Sequence, residues 1–476
     1  MSNVDSKFRP LLQPKSVAVI GASNSPEKAG YIITANLLNY KNGKIYPVNP
    51  KISEVLGLKV YPSILDIPED VDLAVVTVAA QNVPEILGEC ARKNVKFAIV
   101  VAQGFSDAGK EGEALQKKID EIVMQTGLRV IGPNSMGIIN ASNSLITTFV
   151  PIPNLKVGDI ALIAQTGVFC GAGLIWLLSF NFFGLSKSID LGNKCDVDDA
   201  ELLEYFLEDP DTRFIFIHME GVKDGRRFFD VARKVSRKKP IIVLKGGRTD
   251  EGARVVASHT GSLAGLENVY NAAFKQAGIL RVNNLEELLN LIQALKFSPL
   301  PKGDNVAILT FSGAFAALLT DLCVENGLKL AKLSDETLSK IRNLSPPYVN
   351  ISNPVDIWPA VMVKGAENVY PIAIDALLND PNVDSIIVFQ GFSRFFPEFW
   401  GLSPRIILKH LDRVVEKPLI LSTIGEPLTV DELNKVTKLF NEKGVLFYQS
   451  IDAPIKVLNQ LRQYKIYLDR VERKGV

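Results

Sequence analysis

Short apolar runs alternate with helical patterns between residues 17 and 133, and this alternation restricts the possible fold more than any other feature. Five runs rich in β-branched residues lie at 17–20, 44–48, 73–78, 97–101 and 129–131. Patterns with the period of an α-helix lie between several of them, at 31–40, 83–94 and 111–126. Apolar strands separated by helices require a parallel sheet that is covered on both faces. The pattern therefore predicts a doubly wound α/β domain that ends near residue 140.

Two further units of the same kind follow, each after a linker that contains proline and glycine. The linkers occupy 151–158 and 298–303. Apolar strands follow the first linker at 160–164, 214–219 and 240–244, and the second linker at 306–310, 385–389, 418–422 and 446–448. We therefore predict an α/β fold of three doubly wound parallel-sheet domains, with boundaries at 1–148, 149–298 and 299–476.

Composition excludes several classes of protein. The chain has 53 Lys and Arg against 52 Asp and Glu, so it has no basic field that would attract nucleic acid or an anionic membrane. No apolar window is long enough to cross a bilayer, and the amino terminus lacks the apolar core of a signal peptide. The four cysteines lie far apart in the sequence, which predicts reduced thiols, no metal site and a cytoplasmic location.

The turn after the first strand, Gly21-Ala22-Ser23, can present backbone N–H groups to a phosphate, although such turns also occur for packing alone. An NAD site would need the G-x-G-x-x-G spacing and an acidic residue after the second strand. The second strand ends instead at Asn49 and Lys51, which favours a phosphorylated ribose over NAD.

Three other residues follow strands of the first domain and converge on the same edge of the predicted sheet. They are Ala79, Gln103 and Asn134. Open α/β sheets bind ligands at this edge, so all three are candidate ligand contacts. Asn134 has two interpretations, since its amide can bind a ligand or form a local Asx turn.

Histidine is scarce, with only His218, His259 and His410 in the chain. His259 lies in a segment, 245–265, that is rich in glycine, alanine and hydroxyl residues, which predicts a mobile, lightly packed loop. An accessible imidazole there can act as a nucleophile or a base, the alternative being a surface position near a helix cap. His218 lies in the middle of a strand and is predicted to be a buried, hydrogen-bonded core residue, while His410 fits a helix surface.

Two neighbouring features can serve a nucleophilic histidine. Strand alternation places Glu220 on the same face as His218 at the carboxyl tip of the strand. A carboxylate there can accept the Nδ1 proton of an imidazole, or it can be an ordinary surface acid. Gln165, Thr166 and Gly167 open a helix predicted over 168–180, whose first N–H groups can bind an anion or simply be capped.

Together these motifs resemble the alpha-subunit portion of the NDP-forming acyl-CoA synthetases, relatives of succinyl-CoA synthetase. The first domain resembles their Rossmann-like CoA-binding domain through 17–23, 46–51 and 131–134. The second and third resemble their flavodoxin-like ligase domains, the second through 165–167, 190–194 and above all 257–265, and the third through 312–313 and 352–356. The resemblance covers nearly the whole chain.

The resemblance implies an ADP-forming acetate–CoA or acyl-CoA ligase that reversibly converts acyl-CoA, ADP and phosphate into acid, CoA and ATP. It implies an acyl phosphate intermediate, a phosphohistidine on His259 supported by Glu220, and phosphate held by Gln165, Thr166 and Gly167. The CoA contacts that it implies are Gly21, Ala22, Ser23, Asn49, Lys51, Ala79, Gln103 and Asn134.

Nothing in the sequence resembles the ATP-grasp module of that family. The resemblance therefore implies a separate ATP-grasp beta subunit that binds Mg²⁺ and ADP or ATP, in an α2β2 heterotetramer. Two alternatives remain at this point. One is a non-catalytic CoA-binding regulatory protein of the same fold, and the other is an NAD-linked oxidoreductase, which the missing glycine and missing acid oppose.

Overall fold

The first sheet forms from the predicted strands of the amino-terminal segment in the computed structural model, which describes residues 3–260, 266–393, 404–408, 411 and 414–473. The strands of this segment are β1 (Ser16–Ile20), β2 (Lys44–Val48), β3 (Glu54–Val55), β4 (Leu58–Lys59), β5 (Leu73–Val76), β6 (Phe97–Val100) and β7 (Arg129–Ile131). Its helices are α1 (Asn3–Leu12), α2 (Ala29–Leu37), α3 (Val83–Arg92) and α4 (Gly109–Thr126). The sheet has the order β2-β1-β5-β6-β7 with all neighbours parallel, and β3 and β4 form a separate antiparallel pair.

The second sheet has a parallel part and an antiparallel edge. Its strands are β8 (Ile138–Asn140), β9 (Leu145–Ile146), β10 (Val157–Ala164), β11 (Leu185–Asp190), β12 (Phe214–Met219), β13 (Ile241–Lys245) and β14 (Leu280–Val282). Its helices are α5 (Ala172–Leu178), α6 (Asp199–Glu208), α7 (Gly225–Val235), α8 (Asp250–Thr260) and α9 (Glu267–Ala277). The order is β14-β13-β12-β10-β11-β8-β9, in which the β11–β8 and β8–β9 pairings are antiparallel and the other described pairings are parallel.

The third sheet is parallel at every described pairing. Its strands are β15 (Asn305–Thr310), β16 (Lys329–Leu330), β17 (Val355–Asp356), β18 (Ser385–Phe392), β19 (Leu419–Gly425) and β20 (Val445–Tyr448). The helices of this segment are α10 (Leu285–Phe297), α11 (Gly313–Glu325), α12 (Asp335–Arg342), α13 (Trp358–Lys364), α14 (Ala366–Asn379), α15 (Pro404–Leu408), α16 (Val430–Asn441) and α17 (Ala453–Arg473).

The three sheets have a similar arrangement around a central parallel strand, and they confirm the predicted α/β class. In the first two sheets, β1 and β10 lie between the second and third parallel strands, while in the third sheet β15 lies between β16 and β18 and also pairs with β17. The strand order reverses beside this central strand, and open α/β sheets bind ligands outside the carboxyl ends of the strands at that point. The loops after β1, β5, β10 and β12 are therefore the places where a site is expected.

Burial explains why the strands were recognisable in the sequence. All five residues of β1 and all four of β5 and β6 are buried, because helices cover both faces of the sheet. Each fully buried valine, leucine or isoleucine contributes about 1.5–3 kcal/mol to folding, so the apolar runs dictate where the strands lie.

The chain divides into two compact units. The first comprises Met1–Ser179 and Phe183–Asn283 and contains the first and second sheets, while the second comprises Phe180–Phe182 and Asn284–Val476 and contains the third. Within the second unit, α10 packs against α17 and β20. The domain boundaries at 148 and 298 stay predictions.

Two local expectations were wrong, and two short strands were missed. The helix predicted over 168–180 is a short 3₁₀ turn, Gly167–Cys170, followed by the seven-residue α5, because Gly171 interrupts the helix with φ −136° and ψ −121°. The predicted loop around His259 is helical over Asp250–Thr260. The strands β8 and β9 were not anticipated, since three and two residues are too few to give a sequence signal. Among the described residues, none of the helices combines the length and apolarity needed to span a bilayer.

Candidate active site

The turn after β1 is braced by side chains from two neighbouring strands. Gly21 has φ +95°, and a Cβ there would lie 2.5 Å from Thr77 Oγ1. Asn49 Nδ2 donates to Ala22 O at 2.6 Å, while Asn49 Oδ1 accepts from Lys51 N at 2.8 Å. The Asn49 amide therefore holds the turn in shape, and the exposed Lys51 side chain extends beyond it.

A cavity of about 530 Å³ opens beyond the carboxyl ends of β5 and β6. Both Ala79 and Gln103 line it, together with Thr77, Gly104 and residues at the start of α4. Its volume lies within the range of small-molecule and cofactor sites. The structure thus brings two of the predicted ligand contacts together on one concave surface at the expected edge of the sheet.

Asn134 lies on the neighbouring loop after β7. Its backbone has φ +59°, a left-handed conformation that asparagine tolerates better than most residues. Its N–H donates to Ala102 O at 2.8 Å, which ties this loop to the end of β6. The half-buried Asn134 is therefore held close to the cavity-lining segment at Gln103.

At the second sheet, Gln165 and Glu220 meet as the parallel pairing of β10 and β12 predicts. Gln165 Oε1 accepts hydrogen bonds from the N–H groups of Glu220 at 2.9 Å and Gly221 at 3.3 Å. Both side chains are buried, and Thr166 and Gly167 continue into the short 3₁₀ turn. Gln165 thus fixes the backbone that carries the Glu220 carboxylate, a role that the sequence did not suggest.

Two buried lysines flank this turn. Lys194 Nζ lies 2.5 Å from Asp199 Oδ2 and donates to Gly221 O at 3.0 Å. Lys245 has its Nζ 4.9 Å from the centre of the Tyr270 ring, and burial lowers the pKa of its ammonium group. Two ammonium groups therefore lie in the surroundings of the Glu220 carboxylate, and the one on Lys194 is paired with Asp199.

Asp190 adds a buried carboxyl group to the same region. Its Oδ2 accepts from Met136 N at 2.7 Å and its Oδ1 from Gly192 N at 3.3 Å. Burial, opposed by these bonds and by Lys194, raises the pKa of Asp190 to about 7. A carboxyl group with that pKa changes charge near neutral pH, so the charge balance beside Glu220 depends on pH.

We expect stability to reflect this titration. Because the folded pKa lies above the unfolded value of 3.8, folding takes up a proton, and the stabilisation present below pH 4 is lost as pH rises to about 7. Between pH 4 and pH 7, the melting temperature of the wild type should therefore fall with rising pH. In Asp190→Asn this fall should be smaller by several degrees, as measured in thermal scans. Asp380→Asn is the control, because hydrogen bonds outweigh burial and hold the pKa of Asp380 below its usual value. If Asp190→Asn keeps the wild-type slope, the raised pKa is wrong.

His218 differs from its predicted role. It lies on β12, two residues before Glu220, but is half-buried, with its ring centre 5.1 Å from that of Phe169. Within the described part of the chain, its buried Nδ1 has no hydrogen-bond partner. Burial, and then the charges of Lys194 and Lys245, lower the pKa of His218 to about 4, so the ring is neutral at pH 7.

His259 lies in α8, which starts shortly after Gly246 and Gly247 at the end of β13. A Cβ on Gly246 would lie 3.8 Å from Glu220 Cγ, so the chain leading to this helix passes directly beside Glu220. The side chain of His259 and the whole of His410 lie outside the described residues. The pairing of His259 with Glu220 therefore stays a prediction.

Known protein families match the segments that carry the cavity on the first sheet and the charged turn on the second. A CoA binding domain matches residues 15–141, a succinyl-CoA ligase-like flavodoxin domain matches 157–295, and a ligase-CoA domain matches 306–469. The fold and site thus define a CoA ligase of the succinyl-CoA ligase class.

Individual relatives show to which family within that class of CoA ligases the chain belongs. The alpha subunit of ADP-forming acetate–CoA ligase II from Pyrococcus furiosus is 42% identical over 92% of this chain and 93% of its own length. ADP-forming acetate–CoA ligase II from Archaeoglobus fulgidus is 40% identical over 96% of this chain and 67% of its own length. The chain belongs to the ADP-forming acetate–CoA ligase family, in which it corresponds to the alpha subunit.

A solved structure agrees with this assignment. The dinucleotide-forming acetyl-coenzyme A synthetase 1 of Ca. Korarchaeum cryptofilum, in complex with phosphate and ADP, superposes with a TM-score of 0.82 at 34% identity. The match covers 98% of this chain and 99% of that one.

Proposed function

We propose that this chain is the alpha subunit of an ADP-forming acyl-CoA ligase, with acetate as the default acid, and that it binds CoA and phosphate. The observation that carries the proposal is that the cavity beyond β5 and β6 and the Gln165–Glu220 turn beyond β10 and β12 lie in one compact unit. Acyl transfer from CoA to phosphate needs both substrates on one framework.

Two chemical steps would take place on this chain. A phosphate oxygen attacks the thioester carbonyl, the carbon–sulfur bond breaks, and CoA leaves as a thiolate. A ring nitrogen of His259 then attacks the phosphorus of the acyl phosphate, and the acid leaves with the bridging oxygen. The phosphoryl group finally passes to the terminal oxygen of ADP, which gives ATP.

The buried charges of this unit suit these steps. Glu220 would orient the His259 imidazole and stabilise its positive charge after phosphorylation. Gln165, Thr166 and Gly167 would hold phosphate through N–H groups of the short turn, with the ammonium group of Lys245 supplying positive charge nearby. Gly21 to Ser23, Asn49, Lys51, Ala79, Gln103 and Asn134 would surround CoA.

We assign nucleotide and Mg²⁺ binding to a partner, an ATP-grasp beta subunit in an α2β2 assembly. Two relatives with this chain's span carry the name subunit alpha, and the Archaeoglobus fulgidus relative extends beyond it, since the chain covers 67% of that protein. A cytoplasmic location fits the four free cysteines, three of which are buried.

The test is phosphoryl labelling from radioactive phosphate and acetyl-CoA, with the chain alone and with the partner subunit. We expect a phosphoryl group on the chain that is stable in base and labile in acid, and ATP only after partner and ADP are added. Absence of label in both mixtures would favour the non-catalytic CoA-binding alternative. ATP made by the chain alone would overturn the division of labour between the subunits.

A further inference from the structure

The segment between β11 and α6, residues 190–196, crosses from the phosphate turn to the CoA cavity. Two of its residues have left-handed backbones, Gly192 with φ +51° and Lys194 with φ +55°. A Cβ on Gly192 would lie 2.2 Å from Pro133 O and 2.5 Å from Asn134 O. The backbone of the segment therefore packs directly against the Asn134 loop, with no room for a side chain at position 192.

Asn193 reaches from this segment toward the CoA cavity. Its Nδ2 donates to Asp107 Oδ1 at 2.9 Å and to Ser106 Oγ at 3.1 Å. Asp107 in turn accepts from the N–H groups of Gly104 and Phe105, both at 3.0 Å. Because Gly104 lines the cavity, the Asn193 amide sets the position of the cavity wall through Asp107.

Lys194, the next residue, reaches in the other direction. Its ammonium group donates to the carbonyl of Gly221, while Gln165 accepts from the N–H groups of Glu220 and Gly221. The turn that carries the Glu220 carboxylate is therefore held on its carbonyl side by Lys194 and on its N–H side by Gln165.

Stability alone would not select these two residues. Lys194 adopts a conformation that costs a non-glycine residue about 1 kcal/mol or more, and a buried ion pair such as Lys194–Asp199 is often no more stable than apolar side chains. Among the described residues, Asn193 Oδ1 is buried and lacks a hydrogen-bond partner, which also opposes folding. Strain and an unpaired polar atom on one segment between two sites are typical of function.

We propose that Asn193 and Lys194 are positioning residues with divided roles. Asn193 positions the Gln103–Asp107 wall for CoA, and Lys194 positions the Glu220 turn for phosphoryl transfer. The inference rests on the proposed function and extends it, since it explains how two sites on different sheets keep a fixed separation.

The first half of the test measures CoA binding by calorimetry with the full chain. Asn193→Ala removes the bonds to Ser106 and Asp107, so we expect the Kd of CoA to rise about tenfold. Labelling by radioactive acetyl phosphate, which needs no CoA, should stay within about twofold. Asn143→Ala is the matched control, because that amide bonds to Leu12 O and Leu145 N in the same unit and should leave the Kd unchanged.

The second half measures the labelling rate by acetyl phosphate, with and without the partner subunit. Lys194→Met combined with Asp199→Asn removes the hydrogen bond to Gly221 O without leaving a buried charge unpaired. We expect the labelling rate to fall about tenfold or more and the Kd of CoA to stay unchanged. Lys187→Met with Asp209→Asn is the control, because this buried ion pair, at 2.8 Å, involves the same strand β11 away from its carboxyl end.

The divided roles predict that Asn193→Ala changes only the Kd of CoA and that the Lys194 and Asp199 double variant changes only the labelling rate. The property that stays normal in each variant shows that the variant is folded. If both variants change both properties alike, or if neither changes its own, the divided roles are wrong. If the wild-type chain binds no CoA or takes no label, the proposed function itself fails and the inference falls with it.

Discussion

Replacing His259 with asparagine should abolish phosphoryl labelling and lower acetyl-CoA-dependent ATP synthesis by at least about 10³-fold. Asparagine keeps hydrogen-bonding capacity and similar size but has no nitrogen that can attack phosphorus. The measurement is incorporation of radioactive phosphate from acetyl-CoA and phosphate, followed by ATP formation once the partner subunit is added. The Kd of CoA should not change, because the proposed CoA cavity is lined by the loops that follow β5 and β6 and by the start of α4.

Two further variants serve as comparisons in that experiment. His410→Asn should label like the wild type, since the sequence places His410 on a helix surface. Glu220→Gln should label more slowly by about 10²-fold, because it loses the charge that stabilises the phosphorylated imidazole but keeps the turn that Gln165 holds. Full labelling of His259→Asn would assign the phosphoryl group to another residue.

Gly192→Ala should disrupt both halves of the site at once. A methyl group there would lie 2.2 Å from Pro133 O, and the residue would have to keep φ +51°. The 190–196 segment must then move away from the Asn134 loop, which displaces Asn193 and Lys194 together. We expect the Kd of CoA to rise and the labelling rate to fall, each by more than about tenfold, with a melting temperature several degrees lower.

Gly57→Ala is the control that introduces backbone strain without a steric clash. Gly57 has φ +78°, but a Cβ there would meet no atom within 4 Å. We expect it to lower stability by about 1 kcal/mol through strain alone and to leave CoA binding and labelling unchanged. If Gly192→Ala also binds CoA and labels normally, the close contact does not matter for the site.

The strands and their ligand-binding ends were predictable because their signals are local. The apolar run at 214–219 coincides with β12, since burial between helices demands continuous apolar residues. The run at 44–48 coincides with β2, an edge strand in which Lys44 is exposed and the last three residues are buried. Once parallel sheets are accepted, Ala79 and Gln103 must lie at one edge, and the cavity lining agrees with this expectation. The sequence did not show that β10 and β12 are neighbours, so the bond from Glu220 N to Gln165 Oε1 was found only in the structure.

Glycine spacing shows the limit of motif reasoning. The sequence lacks the second glycine of the dinucleotide motif, and this argued against NAD. Gly30, nine positions after Gly21, nevertheless permits close packing, because a Cβ on Gly30 would lie 2.1 Å from Gly21 O. That need arises from the approach of α2 to the end of β1, which residue spacing alone does not reveal.

The sequence by itself determined the α/β class, the long apolar strands, the family and the candidate residues at strand ends. Periodicity and short motifs carry that information, because they depend on neighbours within a few residues. Only the tertiary structure decided that Asp190 and Lys194 are buried, that Gln165 braces Glu220 and that Asn193 reaches Asp107. These contacts join segments as many as 86 positions apart, as Asn193 and Asp107 are, and the pKa of a carboxyl group depends on which distant atoms surround it.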